Sequence, residues 1–378
     1  MLIIADENIP QVKKAFGEFG EVKLFHGRSI TQKDVIDADV LLVRSITRVD
    51  KDLLEGTNVK FVATATIGTD HIDKDYLNKA GIRFADAAGC NAYSVAEYVV
   101  SAITEIFFRT GRPFQGSALG IVGYGNIGTK VDAFAKALGV DTILNDPPLK
   151  RKTGDSKFKS LEEALNCDII TFHVPLNKGG MDNTVHLLNE ENINIINDGS
   201  LLINSSRGAV VDNHALKKAL IKNKRFNAVL DVWENEPAID RELLDITDIA
   251  TPHIAGYSYE GKLNSTLFIY NKFCEYAGVE KKWKPDYMQL EDNIIMPRKT
   301  ENNVELMKNI LNNIYDINDD SLKLKEGLKL SDEQFPRYFD ELRKNYRIRR
   351  EFFNYKIDGS SLTGEQIEML KSLRFEII

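Results

Sequence analysis

The chain has 378 residues, 43% hydrophobic and 28% charged, with a formal net charge of -7; this predicts two or three domains with a sizeable core and argues against a basic nucleic-acid-binding face. Its three cysteines, Cys90, Cys167 and Cys274, lie far apart, which excludes a disulfide framework and a C-x-x-C metal or redox site. The opening MLIIADENIP is too short an apolar run for a signal-peptide core, and no stretch approaches the roughly 20 apolar residues of a membrane span, so a cytoplasmic protein with no membrane or nucleic-acid partner is expected.

Leu2-Ile3-Ile4 predicts a first strand and Val12 to Phe19 a helix. Val40 to Val43 predicts a buried strand ending at Arg44-Ser45, and Phe61 to Ala65 another ending at Thr66-Ile67-Gly68. Strands alternating with helical patterns predict a parallel sheet covered on both faces, with ligands at the carboxyl ends of the strands. Residues 91–110 repeat apolar positions at helical spacing. A second alternating block follows, with strands predicted at Ala118–Val122, Thr142–Leu144, Asp168–Phe172, Leu201–Asn204, Asn227–Leu230 and Ile249–Ala250. Beyond about residue 285 the pattern changes: 296–318 is polar and helix-like, Lys323 to Phe335 is charged and loop-like, 340–352 is basic, and the chain ends in RFEII. This predicts a third, smaller α+β domain.

Gly123-Tyr124-Gly125-Asn126-Ile127-Gly128 stands between a predicted strand and a predicted helix. In that setting G-x-G-x-x-G is a dinucleotide fingerprint: Gly123 permits the tight turn, Gly125 lets the backbone approach a pyrophosphate, and Gly128 allows close helix–strand packing. The helix N-terminus turns its N–H groups toward the phosphates. Asp146, at the end of the next strand, can accept hydrogen bonds from ribose hydroxyls and repels a 2′-phosphate, so NAD is expected over NADP, with Lys150 and Arg151 nearby as the countervailing charges.

Three further residues fall at predicted strand ends: Arg207 in Asn204-Ser205-Ser206-Arg207-Gly208, Glu236 in Asp231-Val232-Trp233-Glu234-Asn235-Glu236-Pro237, and His253 in Thr251-Pro252-His253. Taken singly they are a helix-capping arginine, a turn glutamate and a structural histidine. Together, behind a dinucleotide fingerprint, they supply what oxidation of a 2-hydroxy acid needs: a cation for the carboxylate, a base for the hydroxyl proton, and a carboxylate to orient the base. No metal ligand set is called for.

The motifs ATIGTDHID (Ala65–Asp73), GIVGYGNIG (Gly120–Gly128), HVPL (His173–Leu176), INSSRGAVVD (Ile203–Asp212), DVWENEP and TPHIAGYS (Thr251–Ser258) resemble those of the D-2-hydroxyacid dehydrogenases over roughly residues 1–280. The resemblance implies an α/β fold in which a Rossmann-type NAD domain (94–256) is inserted in a flavodoxin-like substrate domain (1–93 and 257–284). It implies catalytic roles for Arg207, Glu236 and His253. It implies cofactor contacts from Gly123, Gly125, Asn126, Ile127, Gly128, Asp146, Pro175, Ser205, Ser206, Arg207, Asp231 and Gly256, and substrate contacts from Ser45, Thr66, Ile67, Gly68 and Tyr257.

Within the family, IIADENIP, Tyr257 to Lys262, and a C-terminal extension containing Asn345 to Phe352 resemble the branch that oxidises 4-phospho-D-erythronate on the route to pyridoxal phosphate. That branch implies a homodimer formed through a dimerisation domain at 285–378. Arg44 and the Arg347/Arg349/Arg350 cluster are candidates for the substrate phosphate. His71 is read as structural and His173 as shaping the cofactor loop. A 3-phosphoglycerate dehydrogenase and an NAD-sensing corepressor are the alternative readings; turnover of small acids separates them.

Overall fold

A computed structural model of the chain describes residues 1–223 and 226–378. They form two compact units, Met1–Asn91 with Ser258–Gln289, and Ala92–Tyr257 with Leu290–Ile378. The first unit is thus built from segments on both sides of residues 92–257.

In the first unit five parallel strands, β1 (Leu2–Asp6), β2 (Glu21–Phe25), β3 (Val40–Val43), β4 (Phe61–Thr64) and β5 (Arg83–Asp86), lie in the order β2-β1-β3-β4-β5. This is the flavodoxin order. β3 and β4 are buried along their whole length, so both faces need cover. Phe16 with Tyr270 and Phe273 of the Tyr259–Ala277 helix covers one face, and Val35, Leu53 and Leu77 the other. Strand order reverses between β1 and β3, so Arg44 and Ser45 leave the sheet at the switch point, where ligands of such sheets bind. The edge strands β2 and β5 have no match in the predicted strands, because EVKLF and RFAD carry no continuous apolar run. The first helix stops at Phe16, short of the expected Phe19.

The second unit holds six parallel strands, β6 (Ala118–Val122), β7 (Asp141–Asn145), β8 (Ile169–Phe172), β9 (Leu201–Asn204), β10 (Asn227–Leu230) and β11 (Ile249–Ala250), ordered β11-β10-β9-β8-β6-β7. Phe158 adds a single parallel bridge to Leu144 outside β7. The switch point falls between β6 and β8, at the glycine loop and His173-Val174-Pro175. This is the Rossmann arrangement, and the molecule is α/β.

The C-terminal segment adds a small parallel sheet of β12 (Ile294–Ile295), β13 (Lys356–Ile357) and β14 (Glu376–Ile377), with helices at Asn303–Ile314, Ile317–Glu326, Phe335–Lys344 and Gly364–Ser372. Leu306, Met307 and Ile310 join the core of Val99, Ile103 and Phe107 from the Ala92–Thr110 helix. Leu324, Phe335 and Phe339 join Leu230, Trp233 and Leu243. The segment from Lys323, expected as loop, begins inside a helix. Ile317 and Leu324 turn inward from an otherwise polar stretch, and Asp316 caps its start by accepting from Asn318 N. Among the described residues no helix is long and apolar enough to cross a membrane.

Candidate active site

Asp231 is the first residue past β10. It is 1% exposed, and its carboxylate is spent on the loop after β11. Oδ1 accepts from Thr251 Oγ1 (2.6 Å) and Ile254 N (2.7 Å), and Oδ2 from Ala255 N (2.9 Å). His253 N also donates to the Asp231 carbonyl at 2.7 Å. Burial pushes the Asp231 carboxyl above its ordinary value, and the charge of His253 together with these bonds offsets part of that rise. So held, His253 takes a φ of 57°, a left-handed conformation uncommon for a side-chain-bearing residue and found where the surroundings enforce it.

His253 Nδ1 lies 2.8 Å from Glu236 Oε2, and Glu236 Oε1 accepts from Trp233 N at 2.9 Å. Trp233 Nε1 in turn donates to the Thr251 carbonyl at 3.0 Å, closing the loops after β10 and β11 on each other. Burial raises the Glu236 carboxyl, but the charge and hydrogen bond of His253, with the Trp233 amide and the Arg343 charge, together outweigh it, so the group sits below its ordinary value. It is therefore ionised near neutrality and can only accept, which makes Nδ1 the donor. Nε2 has no protein partner among the described residues and remains the ring atom able to gain or lose a proton.

Arg207 follows β9. Asn204 shapes that loop, accepting from Ser206 N (3.1 Å) and Ser206 Oγ (2.9 Å) and donating to the Arg207 carbonyl (3.0 Å). The Arg207 guanidinium is half-buried and donates to the Ser206 carbonyl at 2.7 Å. A Cβ on Gly208 would fall 1.9 Å from the Trp233 carbonyl oxygen, so only glycine lets this loop close against the Glu236 loop. Because β9, β10 and β11 are adjacent and parallel, Arg207, Glu236 and His253 leave the same edge of one sheet.

The glycine loop leaves that edge from β6. Gly123 has a φ of 96°, and a Cβ there would meet the His173 backbone at 2.7 Å. Gly125 is exposed, and a Cβ there would meet nothing within 4 Å. The Gly128–Ala137 helix begins without a side-chain cap; Thr129, Lys130 and Val131 N bond the Gly125 and Ile127 carbonyls, so what it offers an anion is chiefly the positive end of its dipole. Asp146 accepts from Tyr124 N (2.8 Å) and Leu149 N (2.9 Å), which fixes its carboxylate beside the loop. Ser205 Oγ is buried with no partner. An open cradle, an uncapped helix and a fixed acid at the second strand fit a dinucleotide. His173 bonds Thr171 Oγ1 through Nε2 at 3.0 Å, and burial pushes it down to about 3; it is a neutral wall of the loop.

In the first unit, Thr66 Oγ1 bonds Thr64 Oγ1 (2.7 Å) and donates to the Gly68 carbonyl (3.0 Å). That shapes the Thr66-Ile67-Gly68 turn. His71 Nε2 meets Thr64 Oγ1 at 3.1 Å beneath it, and burial lowers its pKa. Ser45 is exposed at the end of β3.

Residues 100–255 match the family described as D-isomer specific 2-hydroxyacid dehydrogenase, NAD binding domain, and residues 292–373 match a domain of unknown function (DUF3410). The chain is 42% identical to an erythronate-4-phosphate dehydrogenase of Proteus mirabilis, over 94% of each chain. It is 42% identical to one of Tolumonas auensis, over 98% of each. Among solved structures it resembles D-lactate dehydrogenase from Aquifex aeolicus complexed with NAD and lactic acid, with a TM-score of 0.59 and 25% identity over 74% of this chain and 96% of that one. The chain belongs to the erythronate-4-phosphate dehydrogenase family. It is an NAD-dependent dehydrogenase of small hydroxy acids.

For this member of the erythronate-4-phosphate dehydrogenase family, the C-terminal arginines divide differently from the sequence expectation. Arg349 is buried and donates to the Ala255 and Ser94 carbonyls, so it braces the end of the His253 loop. Arg350 is buried and donates to Asn354 (2.8 Å), and Arg347 lies near Asp319 (3.5 Å) and Asp320 (3.6 Å). Arg343, which no motif singles out, is the one that meets Tyr257, at 3.3 Å from its hydroxyl. Also unforeseen is a second histidine–glutamate pair: His186 Nε2 lies 2.8 Å from Glu234 Oε1, two residues before Glu236.

Proposed function

We propose that this chain oxidises 4-phospho-D-erythronate at the carbon beside its carboxylate, giving (R)-3-hydroxy-2-oxo-4-phosphooxybutanoate with NAD as acceptor, on the route to pyridoxal 5′-phosphate. The observation that carries the substrate is the extent of the likeness. The two erythronate-4-phosphate dehydrogenases above match 94% and 98% of the chain, C-terminal segment included, whereas the lactate enzyme covers 74% of it.

Arg207 holds the substrate carboxylate with its planar fork. His253 Nε2 takes the hydroxyl proton while Nδ1 stays bonded to Glu236, so the ring that becomes cationic already faces an anion. Ser45, Thr66, Ile67, Gly68 and Tyr257 bind the rest of the substrate. Gly123, Gly125, Asn126, Ile127 and Gly128 receive the pyrophosphate, Asp146 the ribose, and Pro175, Ser205, Ser206, Arg207, Asp231 and Gly256 line the remainder of the cofactor. When bound, the nicotinamide supplies the hydride acceptor. Asp231 acts mainly by holding the His253 loop, since both its oxygens are engaged there.

The protein works in the cytoplasm as a homodimer formed through residues 285–378. Ile294, Met296, Ile348 and Phe353, all exposed on that segment, support the dimer, since apolar surface of this kind marks an interface. The deciding experiment follows NADH formation with 4-phosphoerythronate and 3-phosphoglycerate side by side, with a 2-oxo acid added in parallel to reoxidise retained NADH. Turnover of the first, lost in His253→Ala, is expected. Turnover of 3-phosphoglycerate alone refutes the substrate assignment.

A further inference from the structure

Arg343 stands in the last turn of the Phe335–Lys344 helix. That helix is firmly seated: Phe335 and Phe339 bury beside Leu230 and Trp233, and Arg241 covers the Phe335 ring while donating to the Leu328 (2.5 Å) and Leu330 (2.7 Å) carbonyls. The arginine is therefore delivered by a packed element to the end of the His253 loop. There its Nη2 donates to Tyr257 Oη at 3.3 Å, and its guanidinium carbon stands 5.9 Å from the Tyr257 ring centre. Its Nε is buried with no hydrogen-bond partner. Among the described residues no carboxylate lies within ion-pair distance of it, although Glu236 and Asp231 are close enough for their charge to act on it, after burial and Tyr257.

The neighbouring arginines are committed. Arg347 has Asp319 and Asp320, Arg349 has backbone carbonyls, Arg350 has Asn354, and Arg374 has Glu351. Arg343 couples a neutral hydrogen-bond partner, Tyr257, to an unused buried donor beside the acid–base pair; Arg349 also keeps a buried donor unused, but is held by the Ala255 and Ser94 carbonyls. A half-buried cation in that state is costly unless an incoming anion completes it. The substrate proposed above carries two anions, and Arg207 accounts for only the carboxylate.

Resting on that reading of the substrate, we propose that Arg343 binds the phosphate of the hydroxy acid, so that the C-terminal segment supplies part of the substrate site. Tyr257 steadies the guanidinium through Nη2 and leaves its remaining N–H groups, Nε among them, to donate to phosphate oxygens in charge-assisted bonds.

The test compares kcat/KM for 4-phospho-D-erythronate and for unphosphorylated D-erythronate in the wild type, Arg343→Met and Arg343→Lys, with NADH binding as the check on folding. The preference for the phosphorylated acid is expected to fall about 10- to 150-fold in Arg343→Met, the worth of hydrogen bonds to a charged group, mostly through KM. Arg343→Lys should recover part of it, and should carry the comparison if the methionine variant fails to bind NADH. Equal losses on both acids, or an unchanged preference, overturn the proposal. If the wild type oxidises neither acid, the substrate reading has failed. Inorganic phosphate then decides: thermal protection of the NADH complex by phosphate in the wild type but not in Arg343→Met sustains the site, and equal protection, or none, ends it.

Discussion

Two histidine–glutamate pairs hang from one loop. Glu236 holds His253 and Glu234 holds His186, each at 2.8 Å, and both histidines have positive φ, 57° and 51°. Their settings differ. Glu236 takes the Trp233 amide on its other oxygen, and the pair stands at the carboxyl edge of the sheet, above the buried Asp231 network. His186 is 41% exposed in its side chain and has Asp212 at 3.7 Å on its other nitrogen, while the second oxygen of Glu234 accepts from Asn213 N at 2.9 Å. Both ring nitrogens of His186 face carboxylates, Nε2 in a hydrogen bond and Nδ1 at a distance too long for one. His253 is tied on one side only. On the mechanism proposed above, the same pair distance serves as catalytic machinery in one place and as a loop tether in the other, and what remains of the imidazole decides which.

The largest expected effect breaks this contrast at its functional end. His253→Gln should lower kcat by about 10²- to 10⁴-fold, the range of general acid–base catalysis. Glu236→Gln alone should cost about 10- to 100-fold, as loss of a hydrogen bond to a charged group. Adding it to His253→Gln should cost little more, because the carboxylate acts through the imidazole. Steady-state kinetics on the four proteins checks this; full additivity would mean that Glu236 works independently.

Asp231→Ala sharpens the comparison by removing what aims His253. It strands the Thr251 hydroxyl and the Ile254 and Ala255 amides, at about 1–3 kcal/mol for each unsatisfied group. A clear drop in thermal midpoint, accompanied by loss of turnover, is expected, whereas a stable but inactive variant would assign Asp231 to ligand contact instead. The smallest effect belongs to the other pair. His186→Gln should cost no more than about 1 kcal/mol in stability, the ordinary worth of an exposed ion pair, with kcat within a few-fold of the wild type.

Much of this was legible in the residues. The inner strands announce themselves as apolar runs, and Gly123 to Gly128, Asp146, Arg207, Glu236 and His253 follow strand ends closely enough to be placed on one sheet edge. What could not be read depends on distant contact. β2 and β5 are half-polar edges that become strands by pairing with β1 and β4. Lys323 to Glu326, the end of the Ile317–Glu326 helix, looks like loop because only a few side chains of that helix turn inward. Arg343 shows nothing in DELRKNYRIRR, since its significance lies in a tyrosine 86 residues earlier in the chain. Nothing in the sequence marks Gly208, and only the packed structure reveals that the Trp233 carbonyl forbids a side chain there.

The most direct test of the account is a single-turnover measurement of NADH formation in the wild type, His253→Gln and His186→Gln, each saturated with 4-phosphoerythronate, with cofactor binding measured in parallel. The account predicts that the chemical step slows by two orders of magnitude or more in His253→Gln alone while all three proteins bind NADH alike. A chemical step that survives in His253→Gln, or that collapses equally in His186→Gln, would contradict it.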